Sequence, residues 1–319
     1  MQLGGIDIAR YYYYVKPLIP RQLQISLRRR VATWKRQSCK DIWPIDREAG
    51  KMPDAWRGWP DNKRFALILT HDVDTFKGHE KCHRLMKLEM DLGFRSSFNF
   101  VAAEYAVSSE LRRHLTAHGF EVGLHGLVHN RKLYESRTVF QKHVVQINDY
   151  LKAWDSVGFR SPCMYHNLDW IHDLDIYYDA STFDTDPFEP QPDGVKTIFP
   201  FTVEGDSVRK GYVELPYTLP QDFTLFTLFR EKDIDIWKEK LDWIAKKGGM
   251  ALLITHPDYM NFCGKPGSEE YPASYYEEFL QHIASKYKEQ FWHVLPMEIA
   301  KFWRQNYYYV IQQTSLAAG

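Results

Sequence analysis

The chain has 319 residues, with 41 basic and 41 acidic side chains, 44% apolar residues and 26% charged ones. That balance excludes a disordered chain, a low-complexity or collagen-like chain, and a nucleic-acid binder driven by bulk charge. Aromatics stand at 15%, which suits bulky cores first and sugar-binding faces second.

The charge is uneven. Residues 1–40 hold nine lysines and arginines against one acid, Asp7. The densest part, SLRRRVATWKRQSCK at 26–40, reads as a helix with a solvated basic face docked on an acidic body. Contact with anionic lipid headgroups is the alternative. Residues 41–63 carry three prolines and two glycines and read as a linker or wrapped arm. The expected division is a basic extension with linker over 1–63 and one domain over 64–319. The first residues lack the basic start, apolar stretch and cleavage site of a secretion signal. No run approaches the ~18 consecutive apolar residues of a membrane span. Cys39, Cys82, Cys163 and Cys263 form no CxxC pair and read as reduced thiols. The expectation is a cytoplasmic protein, with peripheral contact at the inner membrane face through the basic segment.

From residue 64 short apolar runs alternate with helical patterns. FALILT (65–70) reads as a buried strand, 79–93 as a helix stopping at Gly93, and SSFNFV (96–101) as a strand. Residues 109–118 read as a helix, FEVGLH (120–125) as a strand and 135–157 as a long helix. The stretch 195–229 is rich in Thr, Val, Phe and Tyr and reads as hairpin material inserted in the pattern. A helix over 231–247, a strand MALLIT (250–255), a helix over 274–289, a strand FWHVL (291–295) and a helix over 296–305 follow. Strands alternating with helices predict parallel strands joined by crossovers.

Four short constellations carry chemistry. THDVD at 70–74 places Asp72 and Asp74 at i and i+2, facing one way if the chain is extended. Two carboxylates that close shift each other's proton affinity, although the pair also suits a helix cap. HGLVH at 125–129 places two histidines at i and i+4, a metal-ligand spacing on one face of a helical turn; the alternative is two unrelated members of a set of thirteen histidines. FRSP at 159–162 sets Arg160 beside a rigid turn, able to hold a carboxylate or to lie on the surface. LLITHPD at 252–258 puts His256 directly after a buried strand, where Asp258 could orient it or the histidine could simply cap the strand.

In this order and spacing the four motifs resemble the polysaccharide deacetylase family, which carries the NodB homology domain. THDVD stands for the family's TFDDG, in the branch that carries DVD. HGLVH stands for H[ST]xxH, with Gly126 at the small-residue position. Arg160-Ser161-Pro162 stands for RxP, and Ile254-Thr255-His256 for LxH. The resemblance covers about residues 64–305 and not the basic extension.

The resemblance implies a distorted (β/α) barrel with its site at the C-terminal strand ends. It implies Asp74, His125 and His129 as ligands of a divalent metal, zinc in preference to Fe(II). Asp72 is implied as general base, Arg160 as the group that holds it, and His256 as general acid, with Pro162 and Thr255 against substrate. The family's remaining motif, an Asp with a Trp near the acid histidine, has candidates at Tyr178-Asp179 to Asp186 and at Glu214-Leu215-Pro216. The implied activity is removal of an N-acetyl group from an amino sugar. With no export signal and a basic extension, the expected substrate is a nucleotide- or lipid-linked glycan precursor of surface-polysaccharide biosynthesis. A deformylase or amidase, and a glycan-binding protein without catalysis, are the alternatives.

Overall fold

The computed structural model describes residues 21–308 except residue 55. Residues 1–20 of the expected extension and 309–319 of the expected domain lie outside the described residues.

The architecture is a curled α/β barrel, as the strand–helix alternation predicts. Its nine-stranded sheet comprises β1 (Phe65–Val73), β2 (Ser97–Phe100), β3 (Glu121–Leu124), β4 (Gly158–Phe159), β5 (Tyr178–Asp179), β6 (Phe201–Val203), β7 (Tyr212–Glu214), β8 (Met250–Thr255) and β11 (Phe291–His293). A separate two-stranded sheet pairs β9 (Met260–Asn261) with β10 (Tyr271–Pro272). Along one edge β1 pairs with β8. Along the other it pairs with β11 at its start and β2 at its end. The sheet then runs through β3, β4, β5 and β7, every pairing parallel; only β6 lies antiparallel, on β7. Past β7 the chain bridges Phe183 with Tyr217 and β8 with Leu219, which brings the two sides of the curled sheet together. Every residue of β1 is buried. A strand covered on both faces needs an unbroken apolar run, which FALIL supplies.

Helices cover the outside, and their caps are written locally. Ser108 and Ser136 accept backbone N–H groups at the starts of Ser109–Ala117 and Arg137–Trp154; such caps contribute about 1 kcal/mol each. Gly248 takes the left-handed conformation that ends Asp235–Lys247. The barrel interior is partly polar: Ser97, Asn99 and Arg160 are all buried there. A Cβ on Gly123 would stand 2.1 Å from Asn99 Oδ1, so a glycine on β3 makes room for that side chain.

Two expectations are corrected, and two short strands were not foreseen. The helix expected over 79–93 is two pieces, Phe76–His79 and Cys82–Asp91. The strands β4 and β5, two residues each, are too short to show a period. The 195–229 hairpin is real only over β6 and β7, and β7 belongs to the barrel wall. Downstream, FTLFTLF (223–229) is a π-helix whose middle residues, 224–228, are all buried. Burial on every side overrides the strand preference of its Thr and Phe residues.

The segment before β1 wraps the barrel. The helix Arg21–Ser38 packs on 223–229. It docks mainly on carbonyls and aromatic faces rather than on an acidic surface. Arg29 donates to Thr227 O at 2.8 Å and Ser268 O at 2.7 Å. Lys35 donates to Pro187 O, Arg36 pairs with Glu231, and the Arg36 guanidinium lies over Phe229. Trp43, Ala49 and Trp59 then enter the core. Among the described residues, no helix is long and apolar enough to cross a membrane.

Candidate active site

Parallel strands deliver side chains to one rim where they end, and the four motifs meet there. Strand β1 runs through Val73, so Asp72 lies inside the strand and Asp74 just past it. Both carboxylates turn toward His125: Asp72 Oδ2 lies 3.9 Å and Asp74 Oδ1 3.6 Å from its Nε2. His129 Nε2 is 3.4 Å from the same Asp74 oxygen. The HGLVH segment is a bent loop after β3 and not the helical turn its spacing suggested. Gly126 makes the bend, with φ +68° and Pro162 so close that a Cβ would stand 2.6 Å from its Cγ.

The donor set fits a divalent metal. One carboxylate oxygen and two imidazole nitrogens lie within 4.8 Å of one another. Asp74 Oδ1 is buried and accepts no hydrogen bond, an arrangement that is costly unless something positive faces it. The separations of 3.4 and 3.6 Å are long for hydrogen bonds. They match the ~3.4 Å between two donors each about 2.1 Å from a tetrahedral centre. His125 Nδ1 lies 3.0 Å from Arg160 O. A carbonyl can only accept, so Nδ1 carries the proton and Nε2 keeps its lone pair. Burial, opposed by Asp72, lowers His125 to about 3, so the ring stays neutral. Burial also works to lower His129, but without a cation Asp74 outweighs it and raises that ring to about 10, so that it binds a proton that a metal on Nε2 would displace.

Asp72 is held from two sides. Its Oδ1 accepts from Arg160 NH1 at 2.9 Å and from Asn99 Nδ2 at 2.9 Å. Arg160 is anchored in turn on Thr70 Oγ1 and Ala180 O, both at 2.8 Å. Burial alone would raise Asp72, but Arg160, His125, His256 and Asn99 together hold it well below the usual carboxylate range. Its second oxygen is left facing the histidines.

His256 follows β8 as expected, but its partner is Asp222. Nδ1 lies 2.7 Å from Asp222 Oδ1, and the His256 backbone N–H donates to Asp222 Oδ2 at 2.7 Å. Tyr271 OH donates to the same Oδ2 at 3.0 Å. Burial works to lower His256, and Asp222 outweighs it, raising the ring to about 10. Nδ1 is thereby occupied and Nε2 is the nitrogen left for other partners.

Several expectations fail here. Asp258 does not orient His256; it accepts the backbone N–H groups of Asp74 and Thr75, both at 3.0 Å, and so shapes the turn after β1. Thr255 is fully buried and its hydroxyl meets His71 Nδ1 at 2.7 Å, so it does not face a substrate. Asp179 serves Ser181, Asp186 serves Phe188 N and Tyr217, and Glu214 serves Thr182; none bonds His256. Pro162 packs on Gly126 and lines a cavity of about 250 Å³ with Val128 and Asn130. Sequence reasoning also missed Asn99, although a polar residue between Phe98 and Phe100 was a readable sign of an inward position.

Gly126→Ala is expected to lower stability by about 1–3 kcal/mol, from left-handed backbone strain plus the Pro162 contact. Thermal unfolding beside the parent measures it. An unchanged midpoint would mean the loop has room to relax.

Comparison with known proteins agrees with this fold. No protein-family model and no curated protein matches the chain. Among solved structures, it is similar to a protein from Mycobacterium smegmatis assigned to the polysaccharide deacetylases, at 21% identity and TM-score 0.60, over 80% of this chain and 95% of that one. It is similar to a protein from Pseudomonas aeruginosa with the same assignment, at 16% identity and TM-score 0.59, over 83% and 99%. Puue allantoinase is matched at 17% identity and TM-score 0.59, over 83% and 98%. The chain has the barrel fold of the polysaccharide deacetylases.

Proposed function

We propose that this chain is a metal-dependent hydrolase that removes an N-acetyl group from an amino sugar in a glycan precursor. The observation that carries the reading is the meeting of Asp74, His125 and His129 around an unsatisfied carboxylate oxygen, with Asp72 and His256 at the same rim. A divalent cation, zinc on this reading, held by those three residues would polarise the acyl carbonyl and make a water more acidic. Asp72 is the base: two donors fix one of its oxygens and leave the other to take a proton from the attacking water. His256, kept cationic by Asp222, returns a proton to the departing amine. Arg160 and Asn99 position Asp72 and do not touch the substrate. Pro162 packs against Gly126 and shapes the histidine loop.

The likeness to the two proteins assigned as deacetylases supports acetyl transfer to water as the reaction. The likeness to Puue allantoinase favours a second reading, hydrolysis of a small cyclic amide, on the same residues. Incubation of the zinc-loaded protein with nucleotide- and lipid-linked N-acetyl and N-formyl amino sugars, and with a cyclic ureide, separates them. Acetate release from an N-acetyl sugar is the expected result. Formate release alone, or ring opening alone, would replace the acetyl assignment. Release from none of them would leave binding without catalysis.

A further inference from the structure

The helix Arg21–Ser38 has two faces. Its inner face is locked to the barrel: Ile25 and Ala32 are buried, and Arg29 and Arg36 bond Thr227, Ser268 and Glu231. Its outer face is apolar. Leu23, Leu27, Val31 and Trp34 are 52%, 42%, 62% and 74% exposed. Their spacing of four, four and three residues puts all four on one stripe of an α-helix. Scattered exposed apolar residues are ordinary, whereas a contiguous stripe marks a surface that meets something.

The flanks say what. Arg28 and Arg30 are exposed on either side of the stripe, Lys40 is exposed just beyond the helix, and no acid occurs between residues 8 and 40. An apolar stripe with a tryptophan, flanked by cations, is the pattern of a helix lying in a bilayer interface. A protein partner would need its own acidic rim around an apolar groove; an anionic bilayer supplies both in one surface. The Arg28 flank of the helix connects to the candidate site through a chain of rings. Arg28 stands 4.9 Å over Phe223, Phe223 is 5.1 Å from Tyr259, and Tyr259 is 5.3 Å from His256.

We propose that the outer face of this helix seats on an anionic lipid bilayer and holds the His256 side of the barrel near the lipid headgroups. The surface stands independently of the hydrolase reading, because vesicle binding and catalysis are separate readouts.

The test is co-sedimentation of the full chain with phosphatidylcholine vesicles, with and without phosphatidylglycerol, for the parent and three variants. The parent is expected to pellet with the anionic vesicles only. The Leu27→Ser, Trp34→Ser double variant is expected to bind at least about tenfold more weakly, and Arg30→Gln about fivefold more weakly. A circular dichroism spectrum and a thermal midpoint equal to the parent's show that each variant is folded. If the double variant does not fold, Trp34→Phe is expected to lose the blue shift in emission that vesicles cause in the parent. A parent that stays in solution with anionic vesicles would overturn the proposal, as would a double variant that pellets like the parent. A parent that is dimeric by light scattering, with a monomeric double variant, would assign the face to a second copy and overturn it too.

Discussion

Asp72→Asn is expected to keep its metal and to lose at least about 100-fold in kcat, the range for removing a positioned acid or base. Asparagine matches the shape of aspartate, and one oxygen can still accept from Arg160 and Asn99. The three metal donors belong to other residues, so the site stays assembled. What changes is the second oxygen, which becomes an amide nitrogen and can take no proton. Metal content and turnover, measured on one preparation, check both halves. Near-parental turnover with full metal would remove Asp72 as the base.

Asp222→Asn carries the second large effect, expected at about 10²–10⁴-fold in kcat. The Asp222 carboxylate is the main group that holds the buried His256 protonated; without it, burial lowers the ring against only the weaker pull of Asp74 and Asp72. The alkaline limb of the pH–rate profile is then expected to move to lower pH. Stability follows the same group. His256 is raised in the fold, so its contribution is complete below its ordinary value of 6.5 and is lost as the pH rises through about 10. The parent's stability advantage over Asp222→Asn is therefore expected to be largest below neutral pH and to fade in alkali. Chemical denaturation at several pH values, beside the rate profile, reads both. An unshifted alkaline limb would mean another group donates the proton.

Much of this was legible in the chain because barrel physics writes itself locally. A strand buried on both faces must be an apolar run, so β1 and β8 announce themselves, and the residues right after them, Asp74 and His256, inherit a functional place. Ser caps and Gly stops are equally local, which is why the helices at 109–117 and 235–247 lie close to expectation. What stayed hidden depends on tertiary contact. Asp222 lies 34 residues from His256, at the cap of a π-helix whose composition suggests strand, so no local pattern pairs the two. Asp258 is the nearer carboxylate in sequence, yet the turn after β1 claims it. Thr255 alternates inward, where His71 meets it. HGLVH has the spacing of a helical turn, but the Gly126 bend against Pro162 makes it a loop, and the two histidines converge all the same.

The direct test of the central claim is elemental analysis of the purified parent beside the His125→Ala, His129→Ala double variant. The account predicts about one equivalent of divalent metal in the parent and none retained by the variant, since one carboxylate alone does not hold a catalytic ion. A parent that takes up no metal even after incubation with zinc, or a double variant that binds as much as the parent, would contradict it.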